Sequence, residues 1–197
     1  MKIILASKSP RRKELLSRLC PEFEILPAEA DESLPQGTPP ERGVEILARR
    51  KGEAVAHAIE ADPASADALI LSSDTLVELS GEPLGKPKDE EDAARMLRAL
   101  SGKVHYVRTG VAVFYRGKTY SGVASTAVTF RTLTEEEILA YIRTGEPMDK
   151  AGAYGIQGEG GRLVASYDGD FDTVVGLSLK LTRELMDRAL SEGGATV

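Results

Sequence analysis

Residues 3–12, Ile3-Ile4-Leu5-Ala6-Ser7-Lys8-Ser9-Pro10-Arg11-Arg12, lead from a short apolar run into a segment with helical spacing at Leu15, Leu16 and Leu19. They read as a strand-to-helix turn in which Ser9 is the N-cap and Pro10 takes the first helical position. Such a turn sets backbone N–H groups beside two guanidiniums and two hydroxyls. A helix N-terminus favours anions, and the planar fork of arginine fits phosphate. The plain alternative is a capped helix with solvated arginines, so the rest of the chain must supply what a phosphate site needs.

At 197 residues and 42% hydrophobic, the chain has material for one large domain, or one domain with two lobes, spanning 1–197. The net charge of −6 argues against a general nucleic-acid binder, which carries a basic face. An acidic protein that binds an anion must gather its positive charge locally. The single cysteine, Cys20, excludes an internal disulfide and a cysteine-cluster metal site, and its place at the apolar end of the first helix suits a buried thiol. His57 and His105 show no HExxH spacing, and no Ser-His-Asp set is apparent. Neither a signal peptide nor a membrane-length apolar run is visible, so a cytoplasmic protein without membrane contact is expected.

Along the chain, Phe23 to Leu26 reads as a strand, and the loop that follows carries Asp31 and Glu32, which offer oxygens to a hard divalent cation or simply stay solvated. Pro39 to about Glu60 is helical, with Val44, Leu47, Ala48, Val55 and Ala58 on one stripe and Lys51 in its midst. A lysine there must snorkel or find an anion, because burying it unpaired is costly. Ala68 to Leu71 is a covered strand ending in Ser72-Ser73-Asp74-Thr75, which places Asp74 just past a strand's carboxyl end, where open α/β sheets put their chemistry. A hairpin of Leu76–Leu79 and Glu82–Leu84 precedes Gly85-Lys86-Pro87, whose neighbours restrict the backbone of Lys86. Then come a helix over 89–100, a long hairpin over 104–131, and a capping box at Thr134-Glu135-Glu136-Glu137 that opens another helix. Residues 148–161 are glycine-rich yet match no Walker or dinucleotide fingerprint. They allow close backbone approach to a ligand, with Gln157 able to read a base edge, or form a flexible surface loop. Val174-Val175-Gly176-Leu177 reads as a short strand or turn before a closing helix, and the tail from Glu192 is expected to fray.

Clustered arginines, Lys51 and Lys86 suit a polyphosphate, and Asp31, Glu32 and Asp74 suit Mg²⁺ or Mn²⁺. The motifs Ser7-Lys8-Ser9-Pro10-Arg11-Arg12-Lys13-Glu14-Leu15-Leu16, Leu47-Ala48-Arg49-Arg50-Lys51, Ser73-Asp74-Thr75, Gly85-Lys86-Pro87, the run from Asp149 to Gly158, and Val174-Val175-Gly176-Leu177 together resemble the Maf family of nucleoside triphosphate pyrophosphatases, essentially end to end. The resemblance implies a mixed α/β fold, an elongated sheet flanked by helices around a deep cleft, similar to inosine-triphosphate pyrophosphatases. It implies hydrolysis between the α- and β-phosphates, with Asp74 as proton acceptor. By the same resemblance, Ser7, Arg12, Lys51 and Lys86 contact phosphate, Asp31 is the acidic position tied to a divalent metal, and Arg11, Thr75 and Gln157 choose the base. Double arginine after Pro10 with Ile156-Gln157-Gly158 resembles the dTTP and UTP branch; a 7-methyl-GTP enzyme or a non-catalytic nucleotide-binding regulator of cell division are the alternatives. A homodimer is expected from the family alone. The chain departs from the pattern at Ser72-Ser73, where many members have Gly-Ala, at Gly176-Leu177-Ser178, where Gly-Leu-Pro is usual, and at Asp31, where Glu is frequent, so that Glu32 is a substitute ligand.

Overall fold

A computed structural model describes residues 1–27 and 29–193. The strands are β1 (Ile3–Leu5), β2 (Glu24–Ile25), β3 (Leu69–Leu79), β4 (Glu82–Leu84), β5 (Val104–Tyr115), β6 (Lys118–Phe130) and β7 (Val164–Asp168). The helices are α1 (Pro10–Ser17), α2 (Pro40–Ile59), α3 (Glu90–Leu100), α4 (Glu135–Ile142), α5 (Phe171–Val175) and α6 (Leu179–Glu192), with 3₁₀ turns at Pro63–Ser65, Glu146–Asp149, Ala151–Ala153 and Glu159–Leu163. The sheet runs β2-β1-β3-β5-β6-β7, with β4 paired to β3. It is mixed: β1 is parallel to β2 and β3, whereas β4 on β3 and β7 on β6 are antiparallel. The α/β class expected from the sequence therefore holds.

The chain divides into two compact units. The first holds Met1–Asp74, Thr109–Ala124 and the segment from Gly176 onward; the second holds Thr75–Arg108 and Ser125–Val175. In the first, Ile4, Ala48, Val55, Ile70, Ala112 and Phe114 form a core between α2 and the strands. In the second, Ala93, Leu97, Leu100, Val107, Phe130, Ile138 and Tyr154 do the same under α3 and α4.

Local signals account for most boundaries. Ser9 caps α1, with Pro10 as its first residue, and Asp89 caps α3. The capping box of α4 is complete: Glu137 N donates to Thr134 Oγ1 and Thr134 N to Glu137 Oε2. Ser178 caps α6 by accepting from Leu181 N. Arg116 and Gly117, both at positive φ, turn β5 into β6, as two-residue hairpins require.

Four readings change. Strand β3 does not stop at Leu71 but continues through Ser72-Ser73-Asp74-Thr75 to Leu79, so Asp74 lies in mid-strand rather than past a strand end. The break was inferred from polar residues, yet both hydroxyls find buried acceptors: Ser72 Oγ donates to Ala48 O and Ser73 Oγ to Gly176 O. Phe23 to Leu26 shrinks to the two residues of β2, and Val174-Val175 ends the short helix α5, where a short strand or turn is expected from the sequence. Strand β7 follows the glycine-rich stretch, where no strand was expected. The fraying tail falls on 194–197, outside the described residues; Glu192 itself ends α6.

Candidate active site

The opening turn is built differently from a bare anion cradle. Ser9 N donates to Ser7 Oγ at 3.1 Å, Arg12 N to Ser9 Oγ at 3.4 Å, and Lys13 N to Ser9 O at 3.1 Å. The turn's own hydroxyls and carbonyl thus take N–H groups that a phosphate was expected to meet. What the turn delivers is a fixed cation. Arg12 Nε donates to Gly176 O at 2.9 Å, and that carbonyl also accepts from Ser73 Oγ at 3.0 Å. Gly176 has φ 129°, in the region that favours glycine, which is how the Val174–Leu177 motif bears on the site. Burial lowers the Arg12 pKa, with Asp74 and Glu32 pulling the other way, so this guanidinium lies within the field of both carboxylates.

Lys51 answers its sequence puzzle with carboxylates. Its Nζ lies 2.5 Å from Asp74 Oδ1 and 2.8 Å from Glu32 Oε1. The lysine and Asp74 are largely covered, with side-chain exposures of 19% and 13%. Burial depresses the Lys51 pKa, but the pull of Asp74 and Glu32 outweighs it and the net shift is upward. Helix α2 comes this close to β3 because Gly52 leaves room: a Cβ there would stand 2.1 Å from the Phe114 ring and 2.6 Å from Ser72 Oγ.

Asp31 and Glu32, neighbours in sequence, part company. The Asp31 carboxylate accepts from Ser33 N and Ser33 Oγ, which lower its pKa, and faces Arg50 at 3.6 Å. Glu32 is the one that reaches Lys51. Among the described residues no group of three or more His, Cys, Asp or Glu side chains forms a metal-ligating cluster. Even so, Glu32 and Asp74 both lie within a hydrogen-bond length of the Lys51 ammonium, a stand-in cation, so their donor set suits a hard cation that draws its remaining ligands from water and substrate.

Arg12, Glu32, Lys51 and Asp74 thus gather in the first unit, which also holds Ser7 and Arg11. Thr75, Lys86 and Gln157 belong to the second. There, the exposed Lys86 is held by its neighbours: Gly85 O accepts from Gly152 N at 3.0 Å, and Pro87 is buried. Gln157 is exposed on the glycine-rich stretch.

That stretch is ordered around a residue the sequence reading passed over. Glu146 accepts from Tyr141 OH at 2.9 Å, from Glu159 N at 3.0 Å and from Gly160 N at 3.2 Å. A Cβ at Gly158 would stand 2.3 Å from Glu146 Oε2, and one at Gly155 would meet Lys150 Cε at 2.6 Å. The glycines make way for these side chains of the chain itself. A signal was available: an acid stands directly before Pro147, five residues beyond Tyr141.

Comparison with known proteins identifies the family. The family model for Maf-like protein matches residues 2–189. The chain belongs to the Maf family. It is 52% identical over 187 residues to a dTTP/UTP pyrophosphatase of Moorella thermoacetica, covering 94% of this chain and 93% of that one. A dTTP/UTP pyrophosphatase of Thermococcus kodakarensis is 46% identical over 185 residues, covering 94% and 95%. Among solved structures, the Ham1 protein of Staphylococcus aureus aligns over 98% of this Maf chain and 99% of its own at TM-score 0.52 and 17% identity, a likeness of fold.

Proposed function

We propose that this Maf-family chain hydrolyses nucleoside triphosphates between the α- and β-phosphates, with dTTP and UTP preferred, releasing the nucleoside monophosphate and pyrophosphate. The observation that carries the reading is the largely covered Lys51–Asp74 pair within the field of Arg12, which sets a carboxylate of β3 with cations from α2 and α1. The names of the relatives support the choice of substrate.

In this mechanism Asp74 takes the proton of a water that attacks the α-phosphorus in line. Arg12, anchored through Nε to Gly176 O, opposes charge on the departing pyrophosphate, with Lys51, Lys86 and the Ser7 hydroxyl. Arg11, Thr75 and Gln157 choose the base. Glu32 and Asp74 would hold Mg²⁺ or Mn²⁺, which supplies charge neutralisation at the phosphates. The same reading places the enzyme in the cytoplasm and as a homodimer, the latter open to sedimentation of the purified chain.

Asp74→Asn preserves side-chain shape and removes the proton acceptor. Pyrophosphate release from dTTP should fall by a factor on the order of 10³ with the circular dichroism spectrum unchanged. Near-normal turnover by the folded variant refutes the assignment. A panel including UTP, dGTP and 7-methyl-GTP separates the dTTP/UTP reading from its alternatives, and absence of pyrophosphate from every nucleotide would leave a binding protein.

A further inference from the structure

Two carboxylates and one ammonium occupy the place where a divalent cation would sit. Lys51 Nζ is 2.5 Å from Asp74 and 2.8 Å from Glu32, so the lysine satisfies both carboxylates at once. A cation approaching this pair without substrate meets three obstacles. The site already holds a positive charge, Arg12 adds a second within reach of the same carboxylates, and no third carboxylate or imidazole stands with them among the described residues. A hard divalent ion bound through only two carboxylates depends on substrate phosphates to complete its shell.

We infer that Lys51 is an internal counter-cation that keeps divalent metal out of the site until a nucleotide arrives. The triphosphate brings negative charge, and the flexible four-carbon stem lets the ammonium leave the carboxylates for phosphate oxygens. That movement uncovers Glu32 and Asp74 as the phosphates supply the missing ligands. Lys51 thereby serves in turn as lock on the metal site and as phosphate ligand, and metal entry is tied to substrate entry. In the resting protein the ammonium keeps the covered Asp74 carboxylate from standing as a charge without a partner. The inference rests on the proposed reading of Glu32 and Asp74 as metal ligands, but it concerns binding order and not turnover.

The test is binding of Mn²⁺ alone, followed by electron paramagnetic resonance of the free ion, with no nucleotide present. Wild-type protein should bind no Mn²⁺ in the concentration range where Lys51→Met binds it, an affinity gain of about ten-fold or more, which loss of one unit charge within hydrogen-bond length of both ligands supplies. Lys51→Gln, which keeps a hydrogen-bond donor for Asp74 without the charge, serves if the methionine variant does not fold, and should behave alike. Adding Glu32→Gln to either variant should abolish the gained binding. In wild-type protein, a non-hydrolysable dTTP analogue should restore Mn²⁺ uptake. Equal Mn²⁺ affinity of wild-type and folded Lys51 variants without nucleotide overturns the inference, as does a folded variant that still binds none. Because nothing is hydrolysed in these measurements, their failure stays distinct from a failure of the pyrophosphate assay.

Discussion

An alanine in the middle of a helix is ordinarily worth about 1 kcal/mol more than a glycine, yet α2 carries Gly52 directly after Lys51. Its Cα lies against Phe114 and Ser72, and the absent Cβ is what lets the helix come down onto β3 far enough for Lys51 to reach Asp74. Gly52→Ala therefore sets two effects against each other. The gain in helix propensity is at most about 1 kcal/mol, whereas a carbon forced 2.1 Å from a buried ring costs about 1–3 kcal/mol as overpacking. The clash should win, lowering unfolding free energy in urea by about 1–2 kcal/mol. Catalytic efficiency should fall by more than the small unfolded fraction explains, because the helix must lift and take Lys51 with it. A variant as stable and as active as the parent would show that the close approach does not set the site. Asp31 and Glu32 teach the same lesson of scale. Sequence placed both near a cation, but only the backbone of the turn, where Ser33 claims Asp31, decides which carboxylate faces Lys51.

At the level of elements, 146–163 shows how a glycine-rich stretch becomes ordered. Three donors converge on one carboxylate, and Tyr141 OH both donates to Glu146 and accepts from Gly155 N at 3.1 Å. Partial burial raises the Glu146 pKa, but the N–H groups of Glu159 and Gly160 and the Tyr141 hydroxyl outweigh it, leaving the acid below its usual range. The same tyrosine is pushed upward by burial. Glu146→Gln would turn an NH₂ group toward N–H or O–H donors, so at least one charge-assisted bond is lost and a donor is left facing a donor. The stretch carries Gln157, so on the proposed reading of Gln157 as a base-choosing residue the expected outcome is a loss of base choice: the ratio of kcat/KM for dTTP over dGTP should drop by about ten-fold, while Glu146→Asp recovers part of it. A uniform fall across all nucleotides would mean that the carboxylate serves stability alone. Since the network stabilises the ionised form, its contribution is present above the unfolded glutamate pKa and fades as pH falls through the lower folded value.

For the whole molecule, legibility followed whether the deciding contacts were local. Caps, the capping box and the β5–β6 turn are set by residues within a few positions of each other, and they stand where the sequence put them. The extent of β3 was not legible, because it depends on Ser72 and Ser73 finding carbonyls of Ala48 and Gly176, distant in sequence. Nor was the fate of His105, which sequence spacing could only exclude from zinc chemistry. The residue is fully buried, its Nε2 lies 2.8 Å from Tyr154 OH, and its ring meets Phe130 edge-on at 4.9 Å. Its Nδ1 has no hydrogen-bond partner among the described residues, and burial pushes its pKa down to about 4. The unfolded chain takes up this proton near pH 6.5, whereas the folded protein resists it until about pH 4. Stability from this group is thus complete above pH 6.5 and declines between the two values as acid favours the unfolded state. The slope approaches about 1.4 kcal/mol per pH unit, for a total of roughly 3 kcal/mol. His105→Phe keeps the edge-on packing and removes the titration. Urea unfolding from pH 7.5 to 4.5 should show the decline in the parent and a shallower one in the variant, even though the variant starts less stable for want of a partner to Tyr154. Parallel pH profiles over this range would show that His105 is not the source of the decline.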